Sequence, residues 1–140
     1  MTSVMYINST DVRKDFSATL DNVIHEKPQF VKRTHNRMIF IEEGEFNRLF
    51  SSLMIPVKIV KEKDGSFIAT NSVMEDVFST GKTKEEAIDN LCDDLIEYAA
   101  DYYADYELYS KAPNRKNHAA YVMRILSSPS HEAVKEILYA

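Results

Sequence analysis

Apolar positions along this chain recur with two different periods, and the changes from one period to the other mark out its elements. Ser9, Thr10 and Asp11 stand before a run containing Val12, Arg13 and Phe16. Their side-chain oxygens are suited to accept the free amides of a first helical turn, so a short helix is predicted to start there. Leu20, Val23 and Ile24 then recur at helical spacing with Asp21, Asn22 and Glu26 between them, which predicts a second helix with one apolar stripe. Pro28 stops it, having no amide proton to continue the ladder. Phe30 and Val31, then Met38, Ile39, Phe40 and Ile41, are β-prone runs joined across residues 34–37. They predict a hairpin in which Asn36 is the residue best able to take a positive φ.

A second unit is predicted to begin near Ile55 and Pro56. Val57 and Ile59 alternate with Lys58, Asp64-Gly65 signals a turn, and Phe67 and Ala69 resume the alternation, so another hairpin follows. Residues 76–80 add a third strand that Gly81 ends. Thr83 with Glu86 three residues on is a capping box opening a long helix, giving the order β-β-β-α. Ala87, Ile88, Leu91, Leu95, Tyr98, Ala99, Tyr102 and Tyr106 form the inner stripe of that helix. Glu86, Asp89, Asp93, Glu97, Asp101 and Asp105 recur every three or four residues on another side as a carboxylate ridge. In the tail, Ala119, Val122, Met123 and Leu126, then Val134, Ile137 and Leu138, predict a helical hairpin. Pro129 breaks it and Ser130 caps its second arm. This hairpin is expected to pack on the preceding domain; the alternative is a segment that stays loose until a partner binds it.

Length and charge narrow the picture. The 140 residues hold one compact domain or two small ones, and 44% hydrophobic content is ordinary for a globular protein. No run of about 18 apolar residues occurs, and the first residues lack an apolar leader core, so a cytoplasmic protein is expected. Net charge is 0 over residues 1–54, −8 over 55–110 and +3 over 111–140. The acidic total of −5 argues against nucleic acid, yet binding depends on a local basic face, which seven cations in a small head can supply when a dimer doubles them. Cys92 lies between Leu91 and Leu95 in a helical pattern and reads as a small buried residue.

Residues 11–50, DVRKDFSATLDNVIHEKPQFVKRTHNRMIFIEEGEFNRLF, resemble the DNA-binding module of the Phd/YefM antitoxins. The resemblance implies a strand at residues 4–8, a helix at 11–15 carrying Arg13, and a helix at 17–26. It further implies strands at 28–33 and 38–41 and a helix at 42–50 with Phe46 and Leu49. The hairpin turn lacks the Gly that the family often places there. In that family DNA contacts lie on the Arg of the first helix and the Arg closing the second strand, here Arg13 and Arg33. A guanidinium fork suits both, since it bridges phosphate oxygens or pairs with guanine O6 and N7. Lys14, Lys32, Arg37 and His35 are neighbours suited to phosphate positioning, and the helix amides near Ser9 and Thr10 offer an anion contact. Without the resemblance, an Arg on a short exposed helix is by default a solvated residue.

The run DGSFIATNSVMEDVFSTGKTKEEAIDNLCDDL is similar to the HicB antitoxin domain, through Gly81, Thr83, Glu85, Glu86 and Ala87. A segment that is Pro-rich in many relatives is here replaced by residues 71–76. The HicB-like fold is a reduced relative of ribonuclease H. No set of carboxylates on adjacent strands is placed to hold Mg²⁺, so a binding module is expected.

Other chemistry fails on spacing. His25, His35, His118 and His131 are scattered with no paired Cys, no HExxH and no nucleophile elbow, and three Gly residues leave no phosphate loop. No enzyme activity, metal or cofactor is expected. The carboxylate ridge reads first as a solvated helix face; the sharper reading is a surface that receives a basic partner such as a toxin ribonuclease. Carboxylates in one row on a helix do not converge on an ion. Asp93, Glu97, Asp101 and Asp105, with Tyr121 and Met123 of the tail, are the candidate toxin contacts.

The expected fold is therefore α+β. A Phd/YefM-like head (residues 1–54), a small antiparallel sheet with helices, dimerises and binds DNA. An acidic HicB-like β-β-β-α domain (55–110) and a C-terminal helical hairpin (111–140) follow. The expected function is an antitoxin that blocks a toxin, of ribonuclease type, and represses its own operon by binding operator DNA as a homodimer or higher oligomer. The competing expectation is an interaction module without DNA function, whose acidic domain binds a basic protein.

Overall fold

Parallel pairing decides how the chain begins. In β1 (Ile7–Asn8), Ile7 pairs with Val31 and Asn8 with Lys32 of β2 (Gln29–Arg33), and α1 (Ser9–Lys14) starts at once. The extended residue before that helix is therefore Asn8, at φ −69° and ψ 141°, and it makes no side-chain capping bond. Ser9, Thr10 and Asp11, expected as caps, lie inside the helix instead. Asp15 does cap α2 (Phe16–His25), its Oδ1 accepting from Ala18 N at 3.1 Å. The chain returns from α2 into β2, and β3 (Asn36–Phe40) pairs antiparallel with β2. The sheet, ordered β1-β2-β3, is mixed rather than antiparallel as expected, because two helices intervene between β1 and β2 and reverse the entry direction.

Thr34 and His35 alone close the hairpin. Its register pairs Arg33 with Asn36 and so draws Asn36 into β3, and the positive φ falls on Thr34 at 53°. Val12, Thr19, Val23, Gln29 and Val31 are buried between helices and sheet. Helix α3 (Glu43–Leu49) follows the Glu42 carboxylate, which accepts from Glu45 N at 2.7 Å, and buries none of its residues. This computed structural model describes residues 5–139, so Val4, expected in the first strand, lies outside them. The chain divides into a unit ending at Leu49 and a unit beginning at Phe50.

In the second unit β4 (Ile55–Lys61), β5 (Phe67–Asn71) and β6 (Ser79–Gly81) form an antiparallel meander. Gly65, at φ 90°, takes the left-handed position in the β4–β5 turn. The third strand is shorter than expected because Asn71 organises the loop before it. Its Nδ2 donates to the carbonyls of Met74 (3.0 Å) and Val77 (2.9 Å), and its Oδ1 accepts from the amides of Val73 (3.0 Å) and Met74 (2.6 Å). Met74 is thereby seated in the core. A Cβ at Gly81 would overlap the backbone of Ala87, so the strand end passes tight against the first turn of α4 (Lys84–Ala104). As expected, Thr83 caps that helix, its Oγ1 accepting from Glu86 N at 3.1 Å.

Ala87, Leu91, Cys92, Leu95, Ala99 and Tyr102 are the buried stripe of α4. The single helix expected through Tyr106 breaks at Asp105, and α5 (Tyr106–Lys111) begins afresh. Residues seven apart on a straight helix are separated by about 10 Å along its axis. The rings of Tyr102 and Tyr109 stack at 5.5 Å, which the break makes feasible. A short 3₁₀ turn (Lys116–His118) leads to α6 (Ala119–Leu126) and α7 (His131–Lys135). Ser130 caps α7 as expected, accepting from Ala133 N at 3.1 Å. Val122, Ile125, Val134 and Ile137 join Leu91, Leu95 and Ile55 in one core, so residues 111–140 lie in the same compact unit as residues 55–110. The second helix expected through Leu138 ends instead at Lys135, and Leu138 enters β7 (Leu138–Tyr139), which pairs parallel with β4 in the order β6-β5-β4-β7.

Candidate functional site

Strand alternation sorts the cations of the head onto two sides. Gln29 and Val31 point to the face covered by the helices, where the Phe16 ring lies 6.3 Å from that of Phe40. Arg33 shares their parity. It projects on the helix-bearing side, where Arg13 and Lys14 occupy the last turn of α1. Lys32 and Arg37 are direct cross-strand partners and project on the opposite side with Phe30 and Ile39. There the Arg37 guanidinium lies 5.2 Å from the centre of the Tyr6 ring, which meets Phe30 edge-on at 6.0 Å. The set predicted to touch DNA is thus divided: Arg13, Lys14 and Arg33 on one side, Lys32 and Arg37 on the other.

Arg13 and Arg33 are exposed, and neither forms an ion pair among the described residues. Lys14 approaches Asp11 at 3.9 Å, both largely in solvent, where such a pair contributes little. Ser9 is half-buried, Thr10 is exposed, and His35 stands at the exposed hairpin tip.

The carboxylate ridge also divides in two. At its N-terminal end Asp89 meets Lys135 at 2.8 Å and Asp93 meets His131 at 3.1 Å, while Ser79 donates to Asp94. The hydrogen bond between Lys135 and Asp89 holds the carboxyl below its ordinary pKa and the ammonium above its own. Helix α7 therefore supplies a cation to Asp89 and an imidazole contact to Asp93 from within the fold. Glu97, Asp101 and Asp105 are exposed and have no ion partner among the described residues. The other two candidate partner contacts, Tyr121 and Met123, are half-buried on α6, with Tyr121 packed against the core.

Three groups join in a network that the local pattern does not announce. His118 Nδ1 and Tyr98 Oη share a hydrogen bond of 2.6 Å, and Arg115 Nη1 donates to the same hydroxyl at 2.8 Å. Arg115 also meets Asp76 at 3.3 Å, and Tyr102 Oη donates to the Arg115 carbonyl at 2.8 Å. The guanidinium lies over Tyr98 (5.6 Å) and Tyr109 (5.8 Å). Burial, aided by the Arg115 charge, holds His118 below the ordinary imidazole pKa. This network fastens the chain after α5 to α4. Cys92 is fully buried, as its helical position predicts; burial first, then the Asp93 and Asp89 carboxylates, push its thiol up to about 11. Among the described residues no three His, Cys, Asp or Glu side chains are grouped to hold a metal. Among the same residues no helix is long and apolar enough to cross a membrane.

Comparison with known proteins adds two findings. A PHD_like family model, described as "Antitoxin of toxin-antitoxin, RelE / RelB, TA system", matches residues 2–140. The fold is similar to the 1.80 Å crystal structure from Syntrophomonas wolfei subsp. wolfei of an antitoxin part of a proposed toxin/antitoxin system. That likeness has a TM-score of 0.91 and 37% sequence identity, and covers 98% of each chain. No curated protein sequence matches.

Proposed function

The chain belongs to the PHD_like family of toxin-antitoxin antitoxins, and from that premise we propose that it carries out two binding tasks with its two units. Family membership makes it a regulatory binding protein with a toxin partner. In our reading the unit beginning at Phe50, HicB-like in its β-β-β-α order, neutralises a ribonuclease toxin by occupying its basic surface. The Phd/YefM-like unit ending at Leu49 dimerises, binds operator DNA and represses the operon that encodes both partners.

The observation that carries the DNA reading is the joint exposure of Arg13 and Arg33 on the helix-bearing side of the small sheet, with neither held by an acid among the described residues. Unpaired guanidinium groups on one side of a head are available to phosphates and base edges, and a dimer would present two copies to a palindromic site. The division of the basic set refines the reading. Arg13, Lys14 and Arg33 form the DNA-facing group, with anion contact from the first turn at Ser9 and Thr10. Lys32 and Arg37, beside Tyr6, Phe30 and Ile39, lie on the face left for the second copy.

Fluorescence anisotropy of the full chain against its own upstream DNA and a scrambled duplex, across a salt series, tests this. Preference for the native sequence with affinity falling as salt rises is expected. Arg13→Ala with Arg33→Ala should weaken that binding by at least about tenfold, given about 1–3 kcal/mol for each good guanidinium contact to a base. Equal binding of both duplexes would end the repressor reading and leave a protein-binding module.

A further inference from the structure

The four-stranded sheet of the second unit has two edges, and the fold treats them differently. The register of the meander fixes which backbone groups point outward. Ser72 N donates to the Pro56 carbonyl at 3.3 Å and Glu62 N to the Ser66 carbonyl at 2.7 Å, so Lys58 and Val60 between them aim their amides and carbonyls at β5. Ile59 and Lys61 aim theirs away from it. By the same alternation Thr80 is the outward-facing residue of β6, and Asn90 Nδ2 covers its carbonyl at 2.8 Å. On the other edge β7 pairs with Ile55 and Pro56 and reaches no further among the described residues. The stretch from Lys58 to Glu62 therefore has no neighbouring strand there among those residues, and the N–H and C=O groups of Ile59 and Lys61 are directed out of the sheet.

Side chains along that stretch alternate as well. Val57 is buried and Ile59 packs on the core, so Lys58, Val60 and Glu62 share the opposite face, where Val60 is 42% exposed. Lys58 and Glu62 are exposed, and neither has an ion partner among the described residues. Lysines on a sheet edge ordinarily repel another strand, but here the order Lys58, Ile59, Val60, Lys61, Glu62 makes the repulsion selective. Two copies related by a two-fold axis pair antiparallel, and hydrogen bonds form only where outward-facing residues stand opposite each other. Registers centred on Ile59 or nearer to Pro56 run the added strand into the end of β7. Registers centred on Lys61 or beyond set like charges face to face, Lys61 with Lys61 or Glu62 with Glu62. The register centred on Val60 avoids both. Each Ile59 then stands opposite a Lys61, each Lys58 opposite a Glu62, and Val60 opposite Val60 on the axis. The stem of Lys61 lies along Ile59, and the turn that follows Glu62 keeps the added strand short of β7.

We propose that the open edge of β4 is a docking surface for a second copy of this chain, which adds its own β4 antiparallel in the register centred on Val60 and joins the two sheets edge to edge. The occupant is identified by the complementarity of Lys58 and Glu62, which only a strand with this same order meets twice. Each Ile59–Lys61 pair exchanges two backbone hydrogen bonds and so satisfies the outward groups. The pairing goes beyond the proposed function: it needs neither DNA nor a toxin, and it places a self-association surface outside the head. Together with the head dimer of that reading, on which this one consequence rests, it would link dimers and bring several DNA-facing groups to neighbouring sites.

Cysteine crosslinking of the full chain under mild oxidation reads the register. Val60→Cys should give a covalent dimer, because facing residues of a non-hydrogen-bonded antiparallel pair have Cα atoms about 4.5 Å apart, within disulfide reach. Lys58→Cys, on the same face, should crosslink at least about tenfold more slowly, because its own copy lies four residues along the strand, about 14 Å away. Cys92 is fully buried, so the native chain is the uncrosslinked baseline. In the Val60→Cys chain, Lys58→Glu and Glu62→Lys should each lower the yield severalfold. Mixed in equal amounts, the two should restore it, since each charge then meets its opposite on the other copy. Mixing does not repair a folding defect, and far-UV circular dichroism checks each variant. The same charge variants without the cysteine, followed by sedimentation equilibrium, should show self-association weakened about tenfold and recovered on mixing, which keeps the test open if Val60→Cys does not fold. No covalent dimer from folded Val60→Cys, equal rates for the two cysteine variants, or a mixture that stays as low as its components would each overturn the pairing.

Discussion

The two units of this chain are built to different standards of self-sufficiency. Among the described residues, the unit ending at Leu49 buries three hydrophobic side chains, Val12, Val23 and Val31, while Phe16, Ile24, Met38 and Ile39 remain about half exposed or more. The unit beginning at Phe50 buries fourteen among its described residues, from Ile55 on β4 to Ile137 after α7, in one continuous core. Small units bury a low fraction of the surface that their unfolded chains expose, so the head is marginal on its own contacts and the second unit is not. The proposed second copy of the head would cover what the head leaves open, whereas the second unit leaves open a stretch of sheet edge at Ile59 and Lys61. Apolar burial is thus divided unevenly: the head leaves exposed apolar side chains for the proposed second copy, and the second unit closes a continuous core of its own.

Perturbing the second unit should produce the largest effects. Leu95 is fully buried at the centre of α4, so Leu95→Ala should destabilise that unit by about 2–5 kcal/mol, read as a lower urea midpoint. If the midpoint of the second unit stayed put while amides of the head lost protection in hydrogen exchange, the assignment of the main core would be wrong. Asn71→Ala should follow, at about 1–3 kcal/mol, because four backbone groups of the loop lose their partner at once. Slower exchange or unchanged protection of Met74 and Val77 would contradict that account.

A smaller effect, of opposite sign, is expected in the head. Thr34 is a β-branched residue at φ 53°, a conformation that glycine adopts without strain. Thr34→Gly should therefore stabilise the hairpin by about 1 kcal/mol, less the chain entropy that glycine adds to the unfolded state. Protection of the β2 and β3 amides is the readout, and a loss of protection would show that the turn is held by something other than backbone preference. The smallest effect is a pH dependence confined to the second unit. His118 has a lower pKa folded than unfolded, so the unfolded chain takes up the proton first as pH falls. The stability it supports is present above the unfolded value near 6.5 and is lost as pH falls through the lower folded one. Thermal melts from pH 7.5 to 5 should show this loss, and His118→Gln should flatten it relative to the native chain.

Much of this architecture was legible locally, and the places where it was not share a cause. The Thr83 cap, the Ser130 cap, the Asp64-Gly65 turn and the α4 stripe from Ala87 to Tyr102 depend on residues within four positions of each other and are found where their patterns placed them, whereas Tyr106, expected in that stripe, lies exposed beyond the break. The N-terminus of α1, the seat of the positive φ, the parallel entry of β1 and the break at Asp105 were misread from the same kind of pattern. Each is settled by a partner distant in sequence or by a register: Lys32 for Asn8, the Arg33–Asn36 pairing for Thr34, and the Tyr102–Tyr109 stack for Asp105. The candidate site follows the same rule. The family resemblance pointed to Arg13 and Arg33, and residue types and spacing to the acidic ridge, but only strand parity separated Arg33 from Lys32 and Arg37, and only α7 distinguished the end of the ridge that meets Lys135 from the rest.

By itself, then, the sequence determined the elements, their caps and turns, the apolar stripes and the uneven charge, because these follow from interactions between near neighbours along the chain. The tertiary structure alone decided which face each cation occupies, how Asn71 and Tyr98 are satisfied, where the tail packs and adds a strand, and which carboxylates stay open to a partner. Several of those outcomes depend on groups far apart in sequence, such as Arg115 with Tyr98, 17 residues apart, and His131 with Asp89, 42 apart, whose meeting no local period encodes.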